Sequence, residues 1–132
     1  MGEPIWLTSQ LAELVHLEQL AEHGGRRGVR DRNALESAVA RPRQLWSHDA
    51  SATLPELAAA LCFGIIRDRP FVDGDKRVGF LGAYVFLALN GLELETDDDD
   101  VVSTITGAAA GSFPETRLAM WMATHARPRA ER

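Results

Sequence analysis

The sequence lacks the features of a secreted, membrane-spanning or disulfide-stabilised protein. Its only cysteine, Cys62, cannot form an internal disulfide. The opening residues, MGEP, lack the charged and apolar regions of a secretory signal. The apolar run at residues 78–89 is far shorter than the ~20 residues that a membrane-spanning helix needs. We therefore expect a cytoplasmic protein that does not enter a membrane.

Positive charge is also scarce. Fourteen Lys and Arg residues against nineteen Asp and Glu residues give a formal net charge of −5. A general nucleic-acid binder needs a concentrated basic face, so we expect no direct nucleic-acid binding, although a local basic site remains open. With 132 residues, 45% of them hydrophobic, the chain fits one domain at 1–132, with its core at about 5–125 and a frayed tail at 127–132.

The apolar residues mostly follow helical spacing, and the alternation of apolar and polar residues typical of strands is nearly absent. We predict an all-α, compact bundle of about six helices, whose third and fourth members are apolar almost all round and run through its centre. Pro42 is expected to end the second helix, predicted at 33–41, and Thr96 to cap the fifth. Residues 92–95 are predicted to be extended. The other helices are predicted from residue 8 or 9 to 23, from 55 to about 68, from about 74 to 89 and from 114 to about 125.

The most informative segment, RPFVDGDKR at residues 69–77, joins the two central helices, and we call it the motif loop. Gly74, Asp75 and Lys76 would lie in the first turn of the fourth helix, where free backbone N–H groups and the helix dipole attract an anion. Lys76 and Arg77 add two cationic side chains at the same place. The motif loop therefore predicts a phosphate-binding site.

Two aspartates extend this prediction. Asp73 and Asp75 are placed so that a divalent cation bound to them could bridge to phosphate. The plain alternative is a helix-to-helix turn in which Asp73 caps the helix and pairs with Arg77 four residues on. The histidines, which are scattered without metal-ligand spacing, are assigned structural or solvent roles. The basic segment at residues 26–30 either solvates a turn or contributes to the site.

The motif loop resembles the signature of the Fic/Doc (death-on-curing) family, in which histidine, phenylalanine, an acid, a small residue and asparagine precede basic residues. Other motifs match in the right order over about residues 5–125, namely GG at 24–25, GVRD at 28–31, LESAVARP at 35–42 and LALNG at 87–91. The resemblance implies a small helical fold that transfers part of a nucleoside triphosphate to a protein hydroxyl. Most relatives transfer a nucleoside monophosphate (AMPylation). Lys76 places this chain nearer the Doc branch, kinases that phosphorylate a threonine of a translation elongation factor.

The resemblance also implies roles for individual residues. Asp73 would hold Mg²⁺, the backbone amides from Gly74 to Lys76 would form an anion hole, and Lys76 and Arg77 would clamp the phosphates of ATP or another triphosphate. Phe71 would anchor the motif loop in the core. Doc-like toxins pair with a small antitoxin whose disordered tail folds into a groove beside the site, so such a partner is expected here.

Two residues depart from the family signature. Arg69 stands where the family has the histidine that takes the proton from the attacking hydroxyl, and a protonated arginine cannot accept it. Asp75 stands where the family has asparagine, and a carboxylate repels phosphate unless a metal intervenes or it is protonated. We therefore expect transfer to be impaired or redirected.

Several explanations of these departures stay open, and so does the question of whether the chain is an enzyme. In the first explanation, the chain is a natural relative whose transfer chemistry has been lost or redirected. In the second, it is a toxin altered so that it could be produced without killing its host. Alternatively, Arg69 and Asp75 serve a different reaction on an anionic small molecule, with Arg69 as an electrostatic clamp. A further alternative is a catalytically silent module that binds a nucleotide or a partner.

Overall fold

Six helices and one pair of short strands make up the computed structural model, which describes residues 2–130. The elements are α1 (Ser9–His23), α2 (Arg32–His48), α3 (Leu54–Asp68), α4 (Asp75–Leu89), β1 (Leu92–Leu94), α5 (Asp98–Ala109), α6 (Glu115–His125) and β2 (Ala126–Pro128). The predicted all-helical bundle of six helices is confirmed. Within the described residues, no helix combines the length and apolar character needed to cross a membrane.

Helix α3 lies at the centre, with α2, α4 and α6 packed against it. It starts with a capping box, in which Thr53 and Glu56 bond to each other's backbone N–H groups, and Pro55 occupies the first turn. Its buried residues lie on all sides of the helix, as predicted from its apolar circumference. They are Leu57, Ala58, Ala59, Ala60, Leu61, Cys62, Gly64, Ile65 and Ile66.

Helix α4 runs very close to α3. A Cβ atom at Gly79 would lie 3.2 Å from the carbonyl oxygen of Cys62 and 3.0 Å from Cγ1 of Ile66, so a side chain at this position would require α3 and α4 to move slightly apart. The two central helices therefore hold both ends of the motif loop.

Helix α2 does not end at Pro42, and the prediction of a helix at 33–41 is wrong in this respect. The helix continues through Pro42 to His48, and the proline ring is buried. A proline inside a helix costs about 3 kcal/mol through a lost hydrogen bond and a steric clash. Continuing the helix packs Leu45 and Trp46 against the core, which offsets that cost.

The end of the chain pairs with β1. Strands β1 and β2 are antiparallel, with Leu92 opposite Pro128, and the N–H of Arg129 donates to the carbonyl oxygen of Gly91 at 2.9 Å. The extended segment predicted at 92–95 is thus confirmed, whereas residues 127–129 of the predicted frayed tail are ordered by this pairing. Glu131 and Arg132 lie outside the described residues.

The cap of α5 also differs from the prediction by one residue. Asp97, not Thr96, is the N-cap, and its Oδ1 accepts the N–H of Asp100 at 2.8 Å. The acidic residues that follow complement the positive end of the helix dipole.

Candidate phosphate-binding site

The motif loop begins at Arg69, which ends α3 in a left-handed backbone conformation (φ 50°, ψ 57°). Among the described residues other than glycine, only Arg69 has a positive φ. Such a C-terminal position usually holds glycine, and another residue costs roughly 1 kcal/mol there. Arg30 offsets this cost, because its Nε donates to the carbonyl oxygen of Arg69 and its Nη2 to that of Asp68, both at 2.7 Å.

The loop between α1 and α2, residues 24–31, clasps the motif loop. Val29 forms an isolated antiparallel bridge with Phe71. The N–H of Arg30 donates to Pro70 at 2.7 Å, and the N–H of Val72 donates to Gly28 at 2.9 Å. The basic segment at 26–30 therefore does more than solvate a turn, because its backbone holds the motif loop in place.

Side chains of α1 support the motif loop from the core side. Phe71 is 1% exposed, as expected for an anchor, and the ring of His16 stacks on it at 4.2 Å between centroids. Nε2 of His16 lies 3.0 Å from the carbonyl oxygen of Asp73 and donates to it, since a carbonyl only accepts. The structural role predicted for His16 thus places it directly beneath the site. Its contact with a residue 57 positions away has no signal in the sequence.

A cavity of about 540 Å³ opens over the start of α4. It brings together all the site residues predicted from the sequence. Arg69, Lys76 and Arg77 contribute three cationic side chains, and within residues 2–130 none of them lies within 4 Å of a carboxylate oxygen. The full lining consists of Ile66, Arg69, Val72, Asp73, Gly74, Asp75, Lys76, Arg77 and Ala109.

Backbone N–H groups at the start of α4 face the same region. The first backbone bond of this helix runs from the N–H of Val78 to the carbonyl oxygen of Gly74 at 3.0 Å. The N–H groups of Asp75, Lys76 and Arg77 have no acceptor in the described part of the chain. Gly74 differs, because its N–H donates to Oδ1 of Asp73 at 3.0 Å. The amides available to an anion are therefore those of residues 75–77.

Asp73 does not play the role that the plain-turn alternative gives it. The N-cap of α4 is Gly74 (φ 80°), and no side chain of the described residues caps the helix. Oδ2 of Asp73 lies 3.3 Å from the N–H of Arg26, and Arg77 bonds to Gln19 rather than to Asp73. The alternative of a simple capped turn with an ion pair is thus wrong.

The carboxylate of Asp75 is turned back into the motif loop. Its Oδ1 accepts the N–H of Phe71 at 2.9 Å. Burial raises the pKa of Asp75, and the bond from Phe71 and the nearby Arg69, Arg30 and His16 oppose that rise. Asp75 therefore stabilises the loop, and the repulsion that it would exert on phosphate is reduced because one oxygen points inward.

A second cavity, also of about 540 Å³, lies between α1, α4 and α5. It meets the first at Lys76 and Arg77. Five of its nine other lining residues are apolar, and Val102 is 64% exposed there. The lining comprises Glu22, His23, Lys76, Arg77, Phe80, Leu81, Asp98, Val101, Val102, Ile105 and Thr106.

The sequence is similar to those of known proteins. The sequence profile described as the Fic/DOC family matches residues 6–87, which include both loops of the site. The chain is similar to "Toxin Doc" of Mycolicibacterium smegmatis, with 42% identity over 77 residues, which are 58% of this chain and 59% of that protein. It is also similar to "Protein kinase doc" of Escherichia phage P1, with 25% identity over 105 residues, 80% of this chain and 82% of that protein. The chain thus spans less than two thirds of the length of the first relative.

Proposed function

This chain belongs to the Fic/DOC family, and we propose that it is a toxin-type member whose first cavity binds the phosphate groups of ATP or another nucleoside triphosphate. One observation carries the proposal: a single cavity is lined by three cations that form no salt bridge within residues 2–130 and by the three residues of α4 whose backbone N–H groups have no acceptor there. Catalysis of phosphoryl transfer depends mainly on positioning and charge neutralisation, which these groups supply. Lys76 and Arg77 clamp phosphate oxygens in this proposal.

The transfer step itself is slow in this chain. A protein hydroxyl that attacks a phosphoryl or nucleotidyl group must lose its proton, and Arg69 cannot accept it. Losing a positioned base typically costs ~10²- to 10⁴-fold in rate. Arg69 instead acts as a third electrostatic clamp on the bound anion. The acceptor to test first is a threonine of a translation elongation factor, as the resemblance to the Doc branch implies.

Mg²⁺ fits the residues at the mouth of the first cavity. This ion usually binds through one or two carboxylates together with substrate phosphates. Asp73 is exposed and lines the cavity, whereas the side chain of Asp75 is half-buried and turned back into the motif loop. We therefore assign Asp73 as the main carboxylate ligand and Asp75 as a secondary one. When bound, the ion would neutralise phosphate charge.

Two measurements on purified protein test this proposal. Isothermal titration calorimetry with ATP and Mg²⁺ should detect binding, and an Asp73→Ala variant should bind more weakly because it loses the main ligand of the ion. Incubation with γ- or α-labelled ATP and cell lysate should label a protein only weakly, and the position of the label identifies the transferred group. Absence of any nucleotide binding would overturn the proposal.

The second cavity supports a second function, the binding of a partner protein. It combines exposed apolar side chains, such as Val102, with the cations Lys76 and Arg77 that border the phosphate site. An antitoxin tail with apolar and acidic residues would fit it and would also block the phosphate site. Val102→Asp should weaken binding of a co-expressed small antitoxin at least tenfold, whereas ATP affinity should stay unchanged. Equal antitoxin affinity for the variant would exclude this surface.

A further inference from the structure

Gln19 is a buried polar residue beneath the start of α4. It is 1% exposed, and its Oε1 accepts a hydrogen bond from Nη1 of Arg77 at 3.2 Å. Its Nε2 is fully buried and has no hydrogen-bond partner within the described residues. A buried donor without an acceptor reduces stability, so packing alone does not explain a glutamine at this position.

The orientation of the Gln19 amide follows from its two neighbours. The guanidinium of Arg77 only donates, so the atom facing it must be the oxygen, and Nε2 is left facing Gly74. A Cβ atom at Gly74 would lie 2.8 Å from Nε2. Gly74 therefore provides both the left-handed cap of α4 and the space for this amide.

We propose that Gln19 is a positioning residue that fixes the guanidinium of Arg77 at the mouth of the first cavity. This inference rests on the proposed function, because it names the support of a phosphate-binding side chain. Arg77 is exposed, and within residues 2–130 its only side-chain hydrogen bond is the one to Gln19. A long arginine side chain loses considerable rotamer freedom on binding a ligand, and holding it in place beforehand removes that cost.

If Gln19 positions Arg77, replacing Gln19 should lower the affinity for ATP without lowering the thermal stability of the protein. Gln19→Met keeps a similar shape but removes both the acceptor for Arg77 and the unpartnered buried donor. Replacing an unsatisfied buried amide by an apolar group of the same shape is nearly neutral or stabilising. The variant should therefore melt at an equal or higher temperature and yet bind ATP about 3- to 10-fold more weakly, the effect of losing one hydrogen bond.

The experiment uses Gln19→Met, with Gln19→Leu as a second variant if the first folds poorly. Gln44→Met, on the exposed side of α2, is the matched control. Nuclear magnetic resonance of the Arg77 Nε–H group, assigned by its loss in Arg77→Lys, should show increased mobility in Gln19→Met and not in the control. Calorimetry with ATP should show the loss of affinity, and this loss should vanish in an Arg77→Lys background.

Three outcomes would contradict the proposal. The Arg77 signal is unchanged in Gln19→Met, the affinity stays the same, or the loss of affinity is equally large without Arg77. Failure of the proposed function looks different, because the wild-type protein then binds no nucleotide at all. In that case, the mobility of the Arg77 side chain still shows whether Gln19 holds it in place.

Discussion

The side chain of Arg30 holds the backbone at Arg69, because its Nε donates to the carbonyl oxygen of Arg69 at 2.7 Å. This bond acts on the main chain, so it does not depend on which side chain residue 69 carries. The turn that places residue 69 at the cavity is thus held by the loop at residues 24–31. At this position the chain departs from the family signature in its side chain, whereas the backbone bond from Arg30 is independent of that side chain.

Restoring the signature residues should therefore restore the chemistry. In Arg69→His with Asp75→Asn, we expect transfer of label from ATP to a protein to rise at least 100-fold, since a positioned base contributes ~10²- to 10⁴-fold. The asparagine can still accept the N–H of Phe71 through its Oδ1. Gel autoradiography of treated lysate measures the label, and adding Asp73→Ala to the double variant should abolish it. No gain over the wild type would show that the chemistry is lost beyond these two positions.

Removing the Arg30 side chain should loosen the site. Arg30→Met leaves the last carbonyls of α3 without their donors, and we expect a loss of about 1 kcal/mol in the free energy of unfolding. Urea denaturation followed by circular dichroism measures this change. Arg27→Met is the control, because Arg27 is exposed and makes no side-chain hydrogen bond within residues 2–130. If both variants were equally stable, the bonds from Arg30 to the carbonyl oxygens at the end of α3 would not contribute to stability.

Asp75 should make stability depend on pH. Because burial raises its pKa in the folded state, the native protein binds a proton more readily than the unfolded chain. Its contribution to stability is greatest below the ordinary pKa of 3.8 and is lost as the pH rises through the higher folded pKa. Asp75→Asn should therefore stabilise the protein most at neutral pH, and this gain should shrink as the pH falls towards 4.

Thermal unfolding of the wild type and Asp75→Asn between pH 4 and pH 7 checks this expectation. Glu18→Gln, an exposed change on α1, controls for the loss of one surface charge. A stability difference that grows towards low pH would mean that Asp75 is stabilised in its ionised form, contrary to the sign derived from its burial.

Cys62 should be chemically inert in the native protein. Burial in the centre of α3 raises the pKa of its thiol to about 12, and the thiolate is the reactive species. A thiol reagent such as DTNB at pH 8 should react with the native protein at least 100-fold more slowly than with protein unfolded in guanidinium chloride. Reaction at the same rate in both states would indicate that α3 opens readily.

The local signals predicted most of the fold. Capping residues and helical spacing placed both ends of four of the six helices, and the start of the other two, to within a few residues, because these signals act between near neighbours. The prediction was wrong at Pro42, where burial of the ring and of Trp46 outweighs the local cost of proline. The pairing of β2 with β1 was also missed, since three-residue strands carry no periodic pattern.

The chemical groups of the site can be read directly from the residues: the cations, the two carboxylates, the glycine and an arginine at position 69 that cannot accept a proton. How these groups are used depends on the fold, because each use requires a contact between distant parts of the chain. The carboxylate of Asp75 is directed into the loop, and the buried side chains of His16 and Gln19 lie beneath a segment more than fifty residues away. Such contacts follow from the packing of α1 against α4 and leave no pattern in the neighbouring residues.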